Sequence, residues 1–86
     1  MSVIETYYNL DDTQRIIRKK IREFELKHDG EFPRYIKLPE MLYVHMMQYD
    51  PFTSADIICG RTEWRCYGMT PCPTIDIISA QEIEVF

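Results

Sequence analysis

Helix and strand breakers decide most of what this chain can become. Asp29-Gly30, Pro33, Pro39, Asp50-Pro51, Gly60 and the Pro71/Pro73 pair cut everything after residue 28 into short pieces. Only the stretch before Asp29 is free to form a long helix. Asp11, Asp12 and Thr13 are candidates for its N-cap, and Asp29-Gly30 stops it after His28. Ahead of it, residues 2–8 read as a short strand or a lead-in. RYIKL (34–38), bracketed by prolines, reads as a strand. Pro39 then sits where the first turn of a helix tolerates proline, so a second helix runs over about residues 40–49. Its apolar residues fall on most sides, which predicts burial on more than one face.

The C-terminal third reads as sheet. ADIICGRTEWRCYGM forms a hairpin; with Arg61-Thr62 as its loop, Ile57, Cys59, Trp64 and Cys66 share the core face. TPCPT (70–74) reads as a turn or crossing, because Pro71 and Pro73 cannot sit in a central strand. TIDIIS and EIEVF follow as two short strands. The expected architecture is a single domain over residues 1–86. It is α+β, with two helices packed on one face of a small, mostly antiparallel sheet.

RIIRKKIREF (15–24) raises the first functional question. At 100° per residue, Arg15, Arg18, Lys19 and Arg22 form one basic stripe. Thr13, Ile17, Ile21, Phe24 and His28 form the opposite, core-facing one. Arg15, Arg18, Lys19 and Arg22 are therefore candidate phosphate contacts. Against that stand four anions placed for local ion pairs: Asp11 and Asp12 with Arg15, Glu23 with Lys19, and Glu25 with Arg22. The chain as a whole has a net charge of −4. Residues 31–86 carry four cations against eight anions. A general nucleic-acid coat protein should be basic overall. No aromatic interleaves the stripe to stack bases, so a solvated helix face is the favoured reading and nucleic-acid binding the alternative.

Other chemistry is sparse. Three cysteines and no basic-then-apolar leader predict reduced thiols in a cytoplasmic protein, with no membrane partner. Cys59, Cys66, Cys72 and His45 lack the spacing of a zinc site. The expectation is core thiols at Cys59 and Cys66, with Cys72 the most exposed. His45 is expected at the edge of the core. No catalytic residue, metal or cofactor is expected. With three glycines there is no phosphate-cradling loop. Two stretches suit a protein partner or a second copy. Met41, Tyr43, Met46 and Met47 on the second helix would make an adaptable binding patch if uncovered. Glu82, Glu84 and Phe86 lie on a C-terminal strand that reads as a sheet edge.

The steps Ile36 to Glu40 (I-x-L-P-E), Tyr67 to Met69 and Glu82 to Val85 (E-I-x-V) resemble those of small accessory proteins encoded by bacteriophages and mobile elements. The resemblance spans residues 34–86. It implies a non-enzymatic protein that binds a host or virion protein, and it transfers no site residues.

Overall fold

The computed structural model describes residues 9–76 and 82–86. The fold is α+β, as its patterning predicts. Helix α1 runs over Leu10–Lys27 and helix α2 over Glu40–Tyr49. The strands are β1 (Tyr35–Pro39), β2 (Thr53–Ile58), β3 (Arg61–Cys66), β4 (Thr70–Thr74) and β5 (Glu84–Val85). They form a three-stranded sheet, ordered β4-β1-β5, and a separate β2-β3 hairpin. The strand considered for residues 2–8 and the second half of TIDIIS lie outside the described residues; in its first half Thr74 ends β4 and Ile75-Asp76 form a turn.

Asn9 caps α1, two residues earlier than the aspartates suggest. Its Oδ1 accepts from the main-chain N–H groups of Asp11 and Asp12 at 2.9 and 3.2 Å. Leu10 thereby enters the helix and packs against the core. Asp11 and Asp12 keep the favourable place in the first turn. At the other end, Asp29 turns left-handed at φ 53°, and the Gly30 N–H donates to the Glu25 carbonyl at 2.8 Å. That pairing closes the helix end.

The core is small: Ile17, Ile36, Leu38, Leu42, Met46, Cys66, Met69 and Ile83. Ile36 and Leu38 alternate on β1, and Leu42 and Met46 are one turn apart on α2. β1 runs into α2 without a loop, because Pro39 ends the strand at φ −59° and φ near this value suits a helix start. The apolar spread around α2 does not bury it on several faces. Only Leu42 and Met46 are buried. His45 is half-buried and leans on Tyr49, 4.9 Å between ring centres.

TPCPT is a strand, not a turn. It pairs in parallel with β1, from Tyr35 opposite Thr70 to Pro39 opposite Thr74. The rule against proline in a central strand holds, since β4 is an edge. The Thr70 N–H donates to the Arg34 carbonyl at 2.8 Å. Strand alternation then turns Thr70, Cys72 and Thr74 toward β1, and Pro71 and Pro73 occupy the positions whose missing N–H would face outward.

The hairpin register also differs. Cys59 and Gly60 form the loop, and Ile58 pairs with Arg61. Both loop residues have positive φ, 52° and 76°, as a two-residue turn matched to strand twist requires. The slip relative to an Arg61-Thr62 loop is even, so Ile57, Trp64 and Cys66 still share a face. That face is core only at its base. Cys66 is buried, whereas Ile57 is 80% exposed because the hairpin projects beyond the sheet. Cys59 is exposed in the loop, and Cys72 is the half-buried thiol.

Candidate functional site

The turn of α1 that the sequence singled out borders a groove that holds about 920 Å³. One wall is Arg18, Ile21, Arg22, Glu25 and Leu26 on α1, with Asp29 from the turn that follows it. The five helical positions are three and four apart, so they form a single stripe along α1. The facing wall consists of Phe32, Phe52 and Tyr67, carried by three loops.

Local chemistry holds each ring in place. Phe32 lies over Gly68, where an added Cβ would stand 3.5 Å from the ring. Tyr67 and Gly68 are both left-handed, at φ 55° and 84°, in a tight turn. Cys66 and Met69 close that turn with two main-chain hydrogen bonds of 2.8 Å. Phe52 stacks on Tyr67 with ring centres 5.3 Å apart. Arg18 lies over the other ring of that pair, 5.1 Å from the Phe52 centre, within cation–π range.

Below the aromatic wall sits a buried polar cluster. The Tyr67 hydroxyl donates to Asp50 Oδ2 at 2.8 Å. The Phe52 N–H donates to Asp50 Oδ1 at 3.0 Å. Thr53 Oγ1 completes the carboxylate's partners at 3.4 Å. Burial, and then the hydrogen bond to Asp50, push the Tyr67 phenol far above its ordinary range. Burial likewise pushes the Cys66 thiol up to about 11. Both groups are thus held protonated.

The predicted sites meet different fates. Arg15, Arg18, Lys19 and Arg22 are all exposed, as the wheel predicts, but only Arg18 and Arg22 line the groove. Arg15 is bound to Asp12 at 2.9 Å. The pairs foreseen for Lys19 with Glu23 and Arg22 with Glu25 do not form; among the described residues α1 has the Arg15–Asp12 ion pair alone. On the core side of α1, Phe24 is half-buried and His28 exposed. The two stack on each other at 3.9 Å instead of entering the core.

On α2, Met46 is fully buried and belongs to the core, so it cannot form part of a surface patch. Met41 is 55% exposed, while Tyr43 and Met47 are half-buried. Glu84 on β5 and Glu82 and Phe86 beside it are exposed, and among the described residues β5 is a sheet edge. The edge is short. Phe86 and Tyr35 exchange main-chain hydrogen bonds of 2.8 and 2.9 Å, which leaves Val85 as the two-residue strand's outward-facing residue. Among the described residues no three His, Cys, Asp or Glu side chains are grouped to hold a metal ion. Nor is any helix among them long and apolar enough to cross a membrane.

The sequence reading missed Leu26, Phe32, Phe52 and Tyr67. One signal was present: Leu26 falls on the wet side of α1, an apolar residue between Arg22 and Asp29. The rings carry no such signal, because only tertiary structure joins their loops. Compared with models of known protein families, with curated proteins and with solved structures, the chain matches none.

Proposed function

We propose that this chain is a small non-enzymatic interaction protein that takes a protein partner in the groove along α1. The observation that carries this reading is the charge order of the helical wall. Arg18 and Arg22 are followed by Glu25 and Asp29, so the wall is neutral in sum, with Ile21 and Leu26 between the charges. An apolar floor flanked by both signs of charge suits a polypeptide. It suits a phosphate backbone poorly, because the two carboxylates repel what the two arginines attract. A non-enzymatic role agrees with the state of two perturbed groups beneath the groove. Cys66 and Tyr67 are held protonated, the wrong form for a nucleophile or base. The resemblance to phage-encoded accessory proteins points the same way.

The second reading is single-stranded nucleic acid, and one observation favours it. Arg18 over the Phe52–Tyr67 stack is a cation beside a stacking platform. One experiment separates the two. A random peptide library is displayed against the immobilised chain and against Leu26→Glu, a change at a position 79% exposed and harmless to the fold. Labelled oligonucleotides are titrated in parallel at about 50 and 200 mM salt. Peptides enriched by the wild type and lost on Leu26→Glu support the protein partner. Oligonucleotide binding that weakens with salt and disappears in Arg18→Glu/Arg22→Glu overturns it.

A further inference from the structure

The wall of α1 is complementary to itself. Read along the helix and into the turn after it, the wall runs Arg18, Ile21, Arg22, Glu25, Leu26, Asp29. The order is cation, apolar, cation, anion, apolar, anion. Rotation about an axis midway between Glu23 and Phe24 places Ile21 against Leu26 and Arg22 against Glu25, and it brings Arg18 to the end of the partner's helix, where Asp29 lies. Each of those pairs then occurs twice. That is the pattern of an isologous contact, in which residue i meets j and j meets i. We infer that the occupant of the groove is α1 of a second copy of this chain, packed antiparallel to the first. This inference rests on the protein-partner reading above and names that partner.

Three further observations agree. The four charges are not used up within their own chain: among the described residues none of Arg18, Arg22, Glu25 and Asp29 is ion-paired. Arg18 presents a guanidinium face to Phe52, which leaves the N–H groups at its rim for a carboxylate across the interface. Leu26 is 79% exposed on a helix whose other face is already in the core, and the twofold places it on the partner's Ile21. From Arg18 to Leu26 the helical stripe is about 12 Å long, a little over two turns, and Asp29 extends it just past the helix end. A contact of that length, flanked by Phe32 and Phe52, belongs to the small class of interfaces, so the dimer is weak and concentration-dependent.

Charge swaps test this in the full-length chain. Arg18→Glu/Arg22→Glu makes the wall wholly acidic, and Glu25→Lys/Asp29→Lys makes it wholly basic. Sedimentation equilibrium should show the wild type dimerising with rising concentration. Each double variant alone should associate at least about tenfold more weakly, since every attractive pair becomes a repulsive one. An equimolar mixture of the two variants should regain association, as a heterodimer with acidic wall against basic wall. Circular dichroism and urea midpoints close to the wild type's would show that the variants are folded. A wild type that stays monomeric at about 0.5 mM, weaker than any specific dimer of use, overturns the inference. So do variants that dimerise as the wild type does, or a mixture that stays monomeric. If the chain is monomeric yet still enriches peptides lost on Leu26→Glu, self-pairing falls and the groove reading stands. If it is monomeric and enriches none, both fall.

Discussion

Asp50 is the most heavily used side chain beneath the groove. Four percent exposed, it accepts from the Phe52 N–H, the Tyr67 hydroxyl and the Thr53 hydroxyl. A buried carboxylate is tolerated only when its oxygens are occupied in this way. Tyr67→Phe removes the shortest of the three and should cost about 1–2 kcal/mol in urea unfolding, the usual penalty for an under-partnered buried acceptor. It should also change the alkaline limb of the stability curve. The folded-state values of Tyr67 and Cys66 both lie above their unfolded values of 10.0 and 9.0. The folded state therefore holds protons that the unfolded chain releases. Stability is full below about pH 9 and falls as pH rises through that range and beyond. In Tyr67→Phe the fall above pH 10 should be shallower, leaving the contribution of Cys66 between about 9 and 11 and that of Tyr43, whose phenol is also raised by burial. An unchanged slope above pH 10 would show that Tyr67 titrates normally.

Helix α2 shows how far an element's pattern can be read before its neighbours are known. Its boundaries, set by Pro39 and Asp50, were legible almost to the residue, as were β1 and the end of α1. Its burial was not, because apolar residues on all sides say nothing about how many partners the fold supplies. Here only the Leu42 and Met46 side has one. Met46→Ala should cost about 2–5 kcal/mol, the range for emptying a core site, whereas Met41→Ala should stay within about 0.5 kcal/mol. Equal costs would mean that Met41 is covered after all. β4 was missed for a different reason. The proline rule was sound, but whether a strand is central or at an edge is a property of the sheet and not of TPCPT. The hairpin was found with its loop misplaced by two residues, because Cys59-Gly60 carries none of the Asn or Asp that usually marks such a turn. Of the groove, the helical half was visible as charge and spacing. The aromatic half was not, since Phe32, Phe52 and Tyr67 are far apart in the chain.

At the scale of the molecule, the three-stranded sheet formed by the described residues ends in two blunted edges. β4 has prolines at its outward positions and β5 is two residues long. Both features discourage strand addition, which leaves the α1 groove as the better surface for a partner. The β2-β3 hairpin stands apart from this body. Among its residues only Thr53 and Cys66, at the base, are buried. A two-stranded ribbon is barely stable by itself in water. By NMR hydrogen exchange, the amides of Ile58 and Arg61 should open with little more than local free energy, while those of Ile36 and Leu38 should approach the global value. Equal protection would mean that the tip folds cooperatively with the core. The same isolation makes the Cys59-Gly60 loop a natural splice point. A foreign sequence inserted there would lengthen the exposed tip of a ribbon whose buried residues, Thr53 and Cys66, lie at its far end, so an epitope or fluorophore could be carried at the tip without disturbing the rest of the fold.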